Sequence, residues 1–469
     1  MQKTFFQRTL FSVALLVGVF MLSGCGFKEK PQEGYKVTLE IWGVFDDTDA
    51  YSKIIEDYKK INPFIKDIRY RKLSPETYKE DLLEAFATGK GPDIFMIRNA
   101  WRESFENKTA PAPQGVISEK EYRDALVDVA AADFLNKENQ IYGIPLSVDS
   151  LALYYNKDLF NAVGISSAPE TWEEVVEAVQ RLTQLDQFGN IIRSGIALGT
   201  GSNINRSSDI LTLMMSQLGA ELRNSQNGRT SLFGKPTEEA FDFYTHFSRI
   251  ASPDYTWNAR QHYSIDAFYE GTAAMMINYS WQYETLRQKN AKLNIGVANV
   301  PQFRMETPVN LANYWGYAVS KSRTFDAEGF SPSNPSTIVS TEKKNDVRVL
   351  ESWQFLKFLA LAGEKKSMTL TNGLVGTSKE FPVTTDPTKT YLDKTRKPPA
   401  RRDLIAEKKD DVVLAPFVYG NLIAKNWFQG DPEATEGIIT DMIDSVVRGE
   451  KTIQAALSVA NTRINLQSR

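Results

Sequence analysis

Short apolar runs alternating with helical repeats constrain this chain most. Val37-Thr38-Leu39-Glu40-Ile41-Trp42 alternates apolar and polar residues, the period of a strand. Tyr51, Ile54, Ile55, Tyr58 and Ile61 follow at helical spacing, and Asn62-Pro63 stops that helix. Tyr78, Leu82, Leu83 and Phe86 mark a second helix, ended by Gly89. Asp93-Ile94-Phe95-Met96-Ile97, after Gly91-Pro92, reads as a buried parallel strand. Strand, helix, strand in repeated order predicts an α/β fold.

The same logic recurs downstream. Residues 151–155 predict a strand. Thr171-Trp172-Glu173-Glu174 has the form of a capping box, followed by Val175, Val176, Val179 and Leu182 on one helical face. Residues 191–198 predict another strand and 209–218 an apolar helix. Phe268-Tyr269-Glu270-Gly271 reads as a helix end with Gly just beyond it, and 273–277 as a strand running into Asn278-Tyr279-Ser280-Trp281. Asp431-Pro432 suits a cap with Pro in the first turn of a helix whose face is Ile438, Ile439, Met442 and Val446. Ala455, Ala456, Val459 and Ala460 form a last helix. Two polar stretches, 322–347 and 380–408, lack periodicity, carry several Pro residues and predict surface loops.

The N-terminus has its own pattern. Lys3 and Arg8 precede an apolar run from Leu10 to Leu22, which ends in Leu22-Ser23-Gly24-Cys25. A short basic segment, an apolar run too short for the ~20 residues that span a bilayer and a small-residue end predict a secretory signal peptide over 1–24. The Leu-Ser-Gly-Cys end resembles the lipobox of bacterial lipoproteins, which implies that Cys25 becomes the mature N-terminus and carries lipid. An uncleaved anchor and an unlipidated leader are the alternatives. Either way the body works outside the cytoplasm and, in the lipoprotein reading, is tethered to a membrane by residues 25–35, a polar, turn-rich segment.

Cys25 is the only cysteine among 469 residues, so the exported body has no internal disulfide and must be held by core burial. The net charge of -3, from 55 basic and 58 acidic residues, gives no electrostatic case for nucleic acid. The only histidines, His246 and His262, lack a metal-ligand spacing. There is no Gly-x-Ser-x-Gly elbow, phosphate loop or dinucleotide fingerprint. A carboxylate pair for glycoside hydrolysis can be imagined anywhere among 58 acidic residues, and that signal alone points to nothing. What stands out instead is Trp beside polar residues at the ends of predicted strands: Trp42 with Asp46 and Asp47, Asn99 with Trp101, Asp149, Trp281 and Trp315. Ligands of α/β sheets bind outside the carboxyl ends of strands, and Trp rings with a few polar groups make such a crevice. The same residues could equally pack cores or lobe interfaces.

Four segments carry a family resemblance. Ala87-Thr88-Gly89-Lys90-Gly91-Pro92-Asp93-Ile94, the stretch from Ile144 to Phe160 with Thr171-Trp172-Glu173-Glu174 after it, the stretch from Gly271 to Trp281, and the last helix from Gly449 to Ile464 resemble, in order, motifs of family 1 extracellular solute-binding proteins of ABC importers, the group that includes the maltose-binding protein. The resemblance implies a two-lobe α/β clamp of the periplasmic-binding-protein type (type II), its lobes joined by hinge crossings at 144–160, at 271–281 and near Trp315. The implied division is 36–147 plus 300–322 for the N-terminal lobe and 148–299 plus 323–469 for the C-terminal lobe. It implies that Trp42 and Asp46 face the cleft, that Asn99 and Trp101 contact ligand, that Asp149 accepts sugar hydroxyls and that Trp281 stacks on a sugar ring. It implies further that Trp315 faces ligand from the third crossing and that Trp427 is a late aromatic near the cleft. The loop after Trp101 and the two polar insertions depart from the family pattern.

The expectation is a monomeric, lipid-anchored receptor on the outer side of a cell membrane that hands an oligosaccharide to an importer permease, with no cofactor, no metal and no catalysis. Three other readings stay open: the same fold binding a polyamine, peptide or glycerol phosphate; a secreted glycosidase; and an adhesive lipoprotein.

Overall fold

The structure, a computed structural model, describes residues 34–224, 227–323, 329–363, 366–427 and 429–467. The expected signal peptide and Cys25 lie outside them. Tyr35, taken from sequence as the end of the tether, is buried and opens the first strand.

Two hydrophobic cores organise the chain. The first surrounds a six-stranded sheet. Its Tyr35–Gly43 strand is buried almost throughout, as a strand covered on both faces must be. That strand pairs in parallel with Ile65–Lys72 and with Ile94–Arg98, and the last of these pairs antiparallel with Trp315–Ser320. The Asp49–Ile61 and Tyr78–Ala87 helices supply the crossovers and bury Tyr51, Ile54, Tyr58, Tyr78 and Leu82. The second core surrounds a three-stranded antiparallel sheet with Ala152–Asn156 in the middle, flanked by Met275–Asn278 and Ile295–Asn299.

The chain passes between the cores three times. The first passage lies between Val148 and Leu151, the second between Leu311 and Ala312, and the third runs from the Ala415–Leu422 helix, where Phe417 touches the second core and Val418 the first, through Ala424 of the first core to Trp427 of the second. The passages are laced together. Ser150 Oγ donates to the Phe417 carbonyl at 3.1 Å, Asn310 Nδ2 to the Leu151 carbonyl at 2.8 Å and Asn421 Nδ2 to the Val148 carbonyl at 2.6 Å. Gly420 makes this possible: a Cβ there would stand 2.3 Å from Ser150 Oγ.

Several expectations are corrected. The 271–281 segment is no passage between lobes; it forms the Met275–Asn278 strand of the second sheet. The expected switch to the C-terminal lobe at 323 does not occur. Phe330–Pro332 pairs with the start of the first strand, and Thr341–Leu361 packs Trp353, Phe355 and Leu359 into the first core. The two stretches expected as loops therefore both carry regular structure, 322–347 in the Phe330–Pro332 strand and the start of the Thr341–Leu361 helix, and 380–408 in the Pro387–Thr395 and Arg402–Lys408 helices, also on the first core. Of 191–198 only Ile191–Arg193 is a strand, paired in a short hairpin with Gln184–Leu185.

Candidate functional site

A cavity of about 950 Å³ lies between the cores, lined by residues of both. The passages between lobes set its floor. Asp149 sits in the first passage, just before the Ala152–Asn156 strand, and lines the cavity. Its carboxylate accepts the Ser280 N–H at 3.0 Å, the Ser150 N–H at 2.9 Å and the Ser280 hydroxyl. Burial pushes this carboxyl up to about 7, against the pull of the Ser280 and Ser150 donors and of Lys397.

Those bonds tie Asp149 to the turn that carries Trp281. Trp281 lies three residues past the Met275–Asn278 edge strand of the second sheet and stands at the N-cap of the Gln282–Lys289 helix. Its ring is stacked on Tyr279, with centroids 4.7 Å apart at 20°, and the Tyr279 hydroxyl is held at 3.0 Å from Asp209 Oδ2. Trp281 remains 44% exposed and lines the cavity, a flat apolar face held from behind. The Arg206 guanidinium lies 5.6 Å from the ring centroid. The opposite wall comes from the first core. Trp315 and Tyr317 alternate along the Trp315–Ser320 strand, and Phe45, in the loop after the first strand, meets Trp315 edge-on with centroids 5.5 Å apart. Aromatic faces on two walls with a carboxyl at the base suit a ligand that has apolar C–H faces and hydroxyls.

Asp149, Trp281 and Trp315 come together in this cavity; five other expected site residues do not line it. Trp42 is 7% exposed, donates to Glu40 Oε1 at 2.7 Å and packs against Arg71. Trp101 is 4% exposed, stacks on Phe105 and meets Trp315 from behind. Both rings belong to the first core: the Tyr35–Gly43 strand turns Trp42 inward, and the short turn Asn99–Trp101 after the Ile94–Arg98 strand does the same for Trp101. Asp46 stands just behind the wall, accepting from Lys397 Nζ at 2.6 Å and from the Tyr391 hydroxyl at 2.8 Å. Asn99 and Trp427 border a separate, smaller cavity of about 30 Å³. There Asn99 donates to Asp133 at 3.0 Å, while the Trp427 indole N–H is buried without a hydrogen-bond partner among the described residues.

Sequence reasoning missed Phe45, Arg206, Tyr391 and Lys397, all of which line the main cavity. Phe45 was within reach, one residue before Asp46 in the same loop. Lys397 lies in a stretch without periodicity, and no local signal marks it. Among the described residues, no group of three or more His, Cys, Asp or Glu side chains could hold a metal ion, and no helix is long and apolar enough to cross a membrane.

The sequence profile of bacterial extracellular solute-binding proteins matches residues 44–366. The chain is 25% identical over 295 residues to the multiple sugar-binding protein of Streptococcus mutans, covering 60% of this chain and 66% of that protein. It is 23% identical over 311 residues to a maltodextrin-binding protein of Bacillus subtilis, covering 61% of this chain and 67% of that one. The cyclic alpha-maltosyl-1,6-maltose binding protein of Arthrobacter globiformis has the same fold, with a TM-score of 0.69 at 17% identity over 92% of this chain and 99% of that one. The sugar-binding protein MalE of Xanthomonas citri superposes with a TM-score of 0.67 at 17% identity, over 92% and 97% of the two chains.

Proposed function

Because the chain belongs to the family of bacterial extracellular solute-binding proteins, we propose that it captures a carbohydrate, an oligosaccharide, and delivers it to an ABC importer from a lipid anchor at Cys25. The observation that carries this reading is Trp281: a large, half-exposed ring, backed by Tyr279 and placed beside Asp149 in a cavity between two cores. An exposed tryptophan held flat by its neighbours is a stacking surface for the C–H face of a sugar ring, and Asp149 and Ser280 supply polar partners for hydroxyls. Opposed walls on separate cores joined by three passages favour capture by closure, which strips water from these groups only when ligand fills the space. The similarity to sugar- and maltodextrin-binding proteins points the same way. In this reading the protein is a monomeric receptor on the outer side of the membrane, and capture breaks no bond and uses no cofactor.

A thermal-shift panel of oligosaccharides, polyamines, peptides and phosphate esters tests this. A ligand at ~100 times its Kd stabilises the folded state by ~2.7 kcal/mol. The expected result is a raised melting midpoint with at least one oligosaccharide. A shift with polyamines or phosphate esters alone would replace the sugar.

A further inference from the structure

The segment after the Pro387–Thr395 helix lies beyond residue 366, where the family match ends, yet it forms part of the cleft. Tyr391, Arg396, Lys397 and Pro398 line the cavity. Two features fix this strap. Lys397 Nζ is held at 2.6 Å by the buried Asp46 carboxylate and at 3.0 Å by the Tyr391 hydroxyl, so the strap is moored to the first core. Arg396 adopts φ 55°, the left-handed region that a non-glycine residue enters only when its surroundings impose it. The result is that the Arg396 side chain leaves the first core and reaches the second, where Nη1 meets Glu284 Oε1 at 3.1 Å.

Glu284 follows Trp281 by three residues at the start of the Gln282–Lys289 helix. Residues at that spacing have Cβ atoms about 5–6 Å apart. A ring stacked on Trp281 and extended toward Glu284 therefore meets the bridge at its next unit. We propose that the Arg396–Glu284 bridge is an end stop of the cleft, which makes the protein discriminate among oligosaccharides by chain length. The inference rests on the carbohydrate reading above. The bridge is exposed, and an exposed ion pair by itself contributes little. The strap behind Arg396, moored by the Lys397–Asp46 contact, is what holds the bridge across the end of the cleft.

The test is calorimetric titration of the full chain with malto- and arabino-oligosaccharide series, from disaccharide through heptasaccharide. The proteins compared are the wild type, the Arg396→Ala/Glu284→Ala double variant and the charge-swapped Arg396→Glu/Glu284→Arg variant. Both residues are surface-exposed, and a cooperative melting curve confirms that each variant is folded. In a series that binds, the wild type loses about tenfold or more in affinity past a limiting length. The double variant recovers most of that loss for the longer members, and the swapped variant restores it. A wild type indifferent to length, or a double variant with the wild-type length profile, overturns the end stop and leaves the carbohydrate reading standing. No binding by any member to any of the folded proteins removes the carbohydrate reading and the end stop with it.

Discussion

Asp149 meets two opposing forces. Burial raises its carboxyl to about 7, while the Ser280 and Ser150 donors favour the charged form. Its unfolded value is near 3.9. A folded value above the unfolded one means that ionisation is harder in the folded state. Its contribution to stability is therefore most favourable below about pH 4, falls as pH rises toward about 7 and is level above that. Glu351, buried beside Tyr35 and Asn62 and also raised to about 7, acts in the same direction. Asp149→Asn should make the decline in unfolding free energy between about pH 4 and 7 shallower than in the wild type, read by denaturant titration at a series of pH values. An unchanged slope would show that Asp149 does not titrate in that window. At this scale only part of the site is legible from sequence. Asp149, Trp281 and Trp315 were legible because each adjoins a strand at the cleft. Trp42 and Trp101 carry the same signature of tryptophan and polar neighbours, but the strand's pleat and the turn after it aim those rings at Arg71 and Phe105. Side-chain direction at a strand end is a three-dimensional property that local spacing does not encode.

Elements with complete local signals are the ones the sequence places best. Thr171 and Glu174 form the reciprocal cap, with the Glu174 N–H donating to Thr171 Oγ1 at 3.2 Å and the Thr171 N–H to Glu174 Oε2 at 3.3 Å. The Trp172–Leu182 helix that follows buries Trp172, Val175, Val179 and Leu182 in the second core. Thr171→Ala should lower unfolding free energy by about 0.5–2 kcal/mol, measured by denaturant unfolding, with ligand affinity unchanged because the cap is not part of the cleft lining. No loss of stability would mean the cap adds nothing beyond the packing of the face. The stretch 380–408 shows the opposite case. Its Pro387–Thr395 helix buries only Pro387, Thr388, Tyr391 and Leu392, too short a stripe to read as periodic. What fixes it is long-range: Arg401 paired with Asp386 across the strap, and Lys397 with Asp46. Likewise the Phe330–Pro332 strand has three residues, and only its pairing with Tyr35–Val37 makes it a strand.

At the scale of the molecule, the α/β order along the chain and the family resemblance announced two α/β lobes, but not which late segments return to which core. Residues 341–361 return to the first because their buried face, with Val347, Trp353 and Phe355, completes the packing over its sheet. Three passages, pinned to one another by Ser150, Asn310 and Asn421, link the two walls at the base of the cleft. Ion pairs already join the walls at the cleft margins: Arg98 with Glu433 at 3.0 Å, Arg223 with Glu103 at 3.1 Å and Arg396 with Glu284 at 3.1 Å. The central claim is that a carbohydrate is held between these walls with one ring on Trp281. Calorimetric titration of the wild type and of Trp281→Ala with the same oligosaccharide tests it most directly. Saturable binding by the wild type is expected, with a loss of about 1–3 kcal/mol in the variant, roughly fivefold to 150-fold in Kd, and the melting midpoint of the ligand-free protein little changed. Equal affinity in the two proteins would contradict it.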